Sequence, residues 1–157
     1  MAKEKKIAVA CDHRGYEIKP RVMDYLKSNG WTVVDCGTNS CESADYPDHM
    51  FSAAEKVASG ECVRAIGVCY SGIGSSIAAN KVAGVRAALV HNVKQAELCR
   101  AHNDANMLVL GTAFIEAGAL DKILEKWLTT PFEGGRHECR VNKIKQYERS
   151  HAKSVPS

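Results

Sequence analysis

Short apolar runs alternate along the chain with longer stretches in which apolar residues recur every three or four positions. KIAVAC (6–11), WTVVDCG (31–37), RAIGVC (64–69), VRAALV (85–90) and NMLVLG (106–111) read as strands: each is short, rich in apolar residues and bounded by turn formers. The stretches between them read as helices. Residues 16–30 put Ile18, Val22, Tyr25 and Leu26 on one face and stop at Gly30, with Pro20 confined to the first turn. Helices are also expected over 49–60, 73–84, 92–103 and 115–128, with a loop over 38–48. A terminal helix over 136–150 follows the break TTPFEGG, and the tail HAKSVPS reads as frayed.

Strands that alternate with helices imply a parallel sheet covered on both faces. The expected fold class is α/β: one domain over residues 1–157, a three-layer α/β/α Rossmann-like sandwich with a five-stranded parallel sheet and a C-terminal helix. Such sheets bind ligands beyond the carboxyl ends of their strands, where the connections part to opposite faces. Reactive residue types gather at these ends: CDHRG (11–15), DYPD (45–48) and CYSGIG (69–74). RAHNDAN (100–106), at the end of the fourth helix, is expected at or near the same edge.

Composition narrows the class. A chain of 157 residues, 45% hydrophobic and 25% charged, matches a soluble globular domain, and a net charge of +3 is too small to argue for nucleic acid. No apolar stretch approaches the length of a membrane span, and MAKEKKIAVACDH is no secretory signal. Seven cysteines without a C-x-x-C pair argue against a disulfide framework or a zinc ribbon, so a reducing cytoplasm is the expected compartment.

The candidate chemistry centres on Cys69. A glycine-rich turn entering a helix offers free N–H groups and a positive dipole end, which suit a phosphate or a developing oxyanion. The same field can lower a thiol pKa; a buried strand-end cysteine beside a tight turn is the plain alternative. A cysteine phosphatase needs an arginine six residues on, where Ser75 stands. GIGSSI lacks the third glycine of a dinucleotide loop, and no Gly-Lys-Ser/Thr follows for a nucleotide triphosphate. His102 at a helix end could simply complement the dipole, and Asp12-His13 could be a cap and a solvated side chain. Arg136 and Arg140 share one helical face, which suits a phosphate or merely a solvated basic surface.

Taken in order, CDHxGxxxK from Cys11, DYP at 45–47, CxxGxGxSIAANKxAGxRAA from Cys69, HNxANxL from His102 and FxGGRHxxR from Phe132 give a specific resemblance. Over about residues 5–147 the chain resembles the type B ribose-5-phosphate isomerases, in a family that also holds galactose-6-phosphate and allose-6-phosphate isomerases. The resemblance implies aldose–ketose isomerisation of a sugar phosphate through a cis-enediolate, with no metal, no cofactor, no nucleic acid and no membrane. Ribose 5-phosphate is the leading substrate; a hexose 6-phosphate or a tetrulose phosphate is the alternative. Cys69 matches the base and His102 the residue that opens the sugar ring. The amides of Tyr70, Ser71, Gly72, Ile73 and Gly74 match those that hold the enediolate oxygen. Asp12, Tyr46 and Asn103 match sugar contacts, and His13, Arg136 and Arg140 match phosphate contacts. The family forms homodimers or tetramers whose active site is shared between subunits.

Two positions depart from the family pattern. Tyr70 stands where a glycine is usual, and is strained there if the position needs a positive φ. Ala113 stands where many ribose-5-phosphate members carry an arginine that reaches the phosphate.

Overall fold

The five apolar runs lie side by side. The computed structural model describes residues 4–152, with β1 (Lys6–Cys11), β2 (Thr32–Asp35), β3 (Arg64–Cys69), β4 (Ala87–Val90) and β5 (Met107–Gly111) in the order β2-β1-β3-β5-β4. Every pairing is parallel, as the alternating pattern requires. The helices are α1 (Lys19–Ser28), α2 (Tyr46–Ala58), α3 (Ile73–Ala79), α4 (Val93–Asn103), α5 (Leu120–Thr129) and α6 (Arg136–His151).

Side-chain size sorts the two faces of the sheet. Successive strand residues point to opposite faces. Ile7, Val9, Ile66, Val68, Leu108 and Leu110 project to one face and pack with Val22 and Leu26 of α1, Ala96 of α4, and Ile123 and Trp127 of α5. Ala8, Ala10, Ala65, Met107 and Val109 project to the other and meet Met50 and Ala53 of α2 and Ala78 and Ala79 of α3. The second face is built from smaller residues, so its helices approach closely. At Gly67 a Cβ would stand 2.6 Å from the Met50 sulfur.

Several element ends differ from the sequence expectation, each for a local reason. The segment DYPD is not all loop: α2 begins at Tyr46, because Pro47 occupies the first turn, where its missing N–H costs nothing. The first helix starts at Lys19 rather than residue 16, because the Asp12 carboxylate accepts from the N–H groups of Arg14 (2.9 Å) and Gly15 (3.0 Å) and holds a turn there. The third stops at Ala79 because the Asn80 side chain leaves to pair with both backbone groups of Ala87. The fifth begins only at Leu120, after a 3-10 turn over Thr112–Phe114. Of the tail, His151 closes α6, and residues 153–157 lie outside the described residues.

This topology fixes where a ligand can enter. From β1 the chain passes to α1 on one face; from the adjacent β3 it passes to α3 on the other. The connections part between these strand ends, leaving a crevice lined by residues 11–15 and 69–75. A buried lysine braces its rim: Lys19 Nζ reaches both Asp35 carboxylate oxygens (3.0 and 2.9 Å), the Thr38 carbonyl (2.9 Å) and Asn39 Oδ1 (3.0 Å). Among the described residues no helix is long and apolar enough to cross a membrane.

Candidate active site

Cys69 ends β3 and is 6% exposed. The loop after it turns sharply through Gly72, whose φ of 79° lies in the left-handed region and lets the chain re-enter as α3. That turn brings Ser75 back over the sulfur, with Ser75 Oγ 3.1 Å from Cys69 Sγ. The backbone N–H groups of Gly72 and Ser75 also point at the sulfur. Neighbouring strand ends anchor the loop: Thr112 Oγ1 donates to the Cys69 carbonyl (3.2 Å) and the Ala113 N–H donates to the Tyr70 carbonyl (3.0 Å). The fit is tight, since a Cβ on Gly111 would overlap the Ser71 carbonyl oxygen.

Burial pushes the Cys69 thiol above its ordinary value. The Ser75 hydroxyl opposes that rise, the Asp12 charge adds to it, and the Gly72 and Ser75 amides oppose it again. The lowering that such a turn can bring is outweighed: its donors are present, but desolvation exceeds them and holds the thiol above its ordinary value. The donors favour the anion once it forms.

The other predicted residues of this edge surround the sulfur. Asp12 is buried, and its Oδ1 accepts from the Arg14 and Gly15 amides. His13 Nδ1 accepts the Ala44 N–H at 3.2 Å, which leaves its other ring nitrogen for a ligand. Tyr46 lies across α3, where a Cβ on Gly74 would come within 2.5 Å of its phenol oxygen. Ile73 and Ser71 complete the turn, the Ile73 N–H donating to Ser71 Oγ (3.3 Å). Tyr70 is not strained, because Asp104 is the residue other than glycine with positive φ among the described residues.

His102, Asn103, Arg136 and Arg140 do not join them, which corrects the expectation of a single edge. α4 runs back against the strands, so its end lies at the amino edge of the sheet. There Arg86, just before β4, donates to the carbonyls of Asn103 (3.1 Å) and Asp104 (2.8 Å). Cys69 instead pairs in register with Gly111, at the far end of β5. At about 3.3 Å per residue the two levels are on the order of 15 Å apart. The His102 ring stacks on His137 of α6, centroids 4.1 Å apart and planes within 8°. Arg136 and Arg140, exposed on the first turns of α6, belong to this second group.

His102, His137 and the Glu133 carboxylate also bring three ligand atoms within 4.8 Å of one another. They fit a metal poorly: an imidazole nitrogen binds an ion in the plane of its ring, and two stacked parallel rings share no such plane. Burial pushes the His137 pKa down, and so do His102 and Arg136, while Glu133 pulls it up.

Sequence reasoning missed Ser75 as a partner of Cys69, taking it only as the absence of an arginine. It also missed His137 as the residue on which His102 rests; the GGRH motif contained it without indicating a role.

The chain has similar proteins of known sequence and structure. The sequence pattern described as Ribose/Galactose Isomerase matches residues 7–144. Ribose-5-phosphate isomerase B of Escherichia coli K12 is 42% identical over 144 residues, 92% of this chain and 97% of that one. The Clostridium thermocellum ribose-5-phosphate isomerase B structure superposes with a TM-score of 0.89 at 46% identity, covering 93% of this chain and 99% of the other. The Mycoplasma genitalium enzyme, solved with bound ribulose 5-phosphate, superposes at 0.87 with 41% identity over 92% of this chain and 96% of its own. With a five-stranded parallel sheet and a family match over residues 7–144, the chain belongs to the ribose/galactose isomerase family.

Proposed function

We propose that this protein interconverts ribose 5-phosphate and ribulose 5-phosphate, with Cys69 as the proton-transfer base and His102 of a second copy opening the sugar ring. The observation that carries this reading is a buried thiol facing a hydroxyl and two amides at the sheet's switch point, in a chain of a sugar isomerase family.

The chemistry follows from the donors. A C–H beside a carbonyl is a weak acid, so the charge that forms must be stabilised as it develops. The Cys69 thiolate removes the C2 proton of the open-chain aldose, and electrons move onto the C1 oxygen to give an enediolate. Amides of the 70–74 turn hold that oxygen. The O2 proton passes to O1, which leaves the charge on O2, and the thiol returns its proton to C1 as the C2 carbonyl forms, giving the ketose and regenerating the thiolate. Asp12 and Tyr46 fit the sugar hydroxyls, and His13 the phosphate end.

Ring opening needs a second group to move a proton between the anomeric and ring oxygens, and a histidine does this near neutrality. In one chain His102 stands too far from Cys69 to do so. A two-fold pair that sets the amino edge of one chain against the carboxyl edge of its partner supplies His102, Asn103, Arg136 and Arg140. Exposed Ile73 (55%) and Ile77 (57%), one turn apart on α3 beside the crevice, support burial of that face by another chain. The family description, which includes galactose, supports a hexose 6-phosphate as the alternative substrate.

Mixing tests both halves of the reading. Cys69→Ala and His102→Asn homomers should each fail to isomerise cyclic ribose 5-phosphate. Unfolded together and refolded at equal amounts, they should recover about one quarter of wild-type activity, since half the dimers are mixed and one of their two sites is intact. No recovery would exclude a shared site, and an active Cys69→Ala enzyme would exclude the base. Rates on four-, five- and six-carbon sugar phosphates then rank the substrates.

A further inference from the structure

Two residues that depart from a small, uncharged turn stand against each other at the mouth of the crevice. β1 and β3 are paired neighbours, Cys11 opposite Val68, so Asp12 and Cys69 leave the sheet side by side. Two residues further on, the Arg14 guanidinium lies over the Tyr70 ring, 4.9 Å from its centroid. The Tyr70 backbone is fastened on its other side by the Ala113 N–H. The ring is thus a platform rooted between the ends of β1 and β5.

Among the described residues Arg14 keeps its charge unpaired, as Arg136 and Arg140 do on α6, but at the carboxyl edge of the sheet. Arg21, Arg86 and Arg100 donate to carboxylates or carbonyls, and Arg64, also stacked on an aromatic ring, donates to the carbonyls of Trp127 and Leu128. Among the described residues the Arg14 side chain forms no hydrogen bond and no ion pair. Attraction to the aromatic face orders a guanidinium without using its N–H groups, so its donors stay free. Asp12, two residues earlier in the same turn, already gives its Oδ1 to the Arg14 and Gly15 amides. Next to Arg14 along the chain is His13; on the other side of the crevice Ala113 brings no charge.

We propose that Arg14, positioned by Tyr70, binds the phosphate of the substrate and gives the site its preference for phosphorylated over unphosphorylated sugar. The inference rests on the reading of this edge as the sugar-phosphate site. A guanidinium matches two phosphate oxygens with two parallel N–H groups, a geometry an ammonium lacks. Stacking on Tyr70 reduces the rotamer freedom that a long side chain otherwise loses on binding.

The test compares wild type with Arg14→Ala, Arg14→Lys, Tyr70→Phe and Tyr70→Ala, using calorimetric binding of inorganic phosphate and steady-state rates. Arg14→Ala should weaken phosphate binding and raise KM for ribose 5-phosphate roughly 10- to 100-fold, the loss of one charged hydrogen-bonding group. Its kcat should move by less than about threefold, because the phosphate is remote from the reacting carbons. Against unphosphorylated ribose, Arg14→Ala should show no loss relative to wild type, because the contact it removes is to phosphate. Arg14→Lys should fall between the two, and Tyr70→Phe, which keeps the ring under the guanidinium, should bind inorganic phosphate within about twofold of wild type. Tyr70→Ala should shift binding the same way as Arg14→Ala, and the double variant should be no weaker than Arg14→Ala alone. Phosphate bound by Arg14→Ala as tightly as by wild type overturns the proposal; Tyr70→Ala with wild-type binding overturns the positioning role. Calorimetry needs no turnover, so a wild type that binds phosphate without isomerising sugars sinks the proposed reaction alone.

Discussion

The two edges of the sheet carry chemistry in different states of readiness. At the carboxyl edge Cys69 is buried, faced by Ser75 and two amides, and seated in a turn moulded around glycines. At the amino edge His102 is 37% exposed, flat against His137, with Glu133 3.9 Å away. The first group is organised by its own chain. The second is organised as a surface, and presents its polar groups outward. The difference teaches that preorganisation within one fold need not include every participant in a reaction.

The largest effect that would break this comparison is on catalysis. Cys69→Ala should lower turnover of every substrate by about 10³-fold, the scale of a lost general base. His102→Asn should impair cyclic sugar phosphates comparably and leave an acyclic four-carbon substrate near wild type. Equal loss on both substrate types would mean that His102 does more than open rings.

Next in size is the moulding of the turn. Gly111→Ala should cost roughly 1–3 kcal/mol, because the added Cβ meets the Ser71 backbone, which cannot swing aside. Thermal unfolding should register it together with a loss of activity. Gly74→Ala is the contrasting case: its Cβ meets the end of the Tyr46 side chain, which can move, so stability should hold while KM rises.

The smallest effect sharpens the electrostatics. Since burial raises the Cys69 pKa and the proposed base is its thiolate, kcat/KM should keep climbing with pH toward the ordinary thiol value of 9.0 and beyond. Ser75→Ala removes a donor to the thiolate. It should lower kcat/KM by about tenfold near neutrality, move the rising limb further to alkaline pH and leave the high-pH rate closer to wild type. A limb at the wild-type position would remove Ser75 from the proton-transfer machinery.

Much of this architecture was legible in the chain. The alternation in KIAVAC and RAIGVC identifies buried strands and shows which face carries the bulk, since Ile7, Val9, Ile66 and Val68 alternate with Ala8, Ala10, Ala65 and Gly67. Cys69 was legible as the end of a strand entering a glycine turn. The approach of Ser75 was not, because it depends on the left-handed turn at Gly72. The separation of His102 from Cys69 was misread, although the topology contains it: a helix joining two parallel strands must run back, so its last residues face the opposite edge from the strand ends. Tyr46 was recognised by motif but assigned to a loop, because the helix-starting value of Pro47 was outweighed by the polar run before it.

Parallel strands of four to six residues form a stiff bar. If the proposed base and ring-opening histidine are fixed to its two ends, the bar is also a gauge. In a head-to-tail pair the length of the strands would set the spacing between the two reaction centres. Inserting residues into one strand would then disturb the spacing on both sides at once. Loops and termini can drift in length without that consequence, so strand length is the dimension of this fold least free to change.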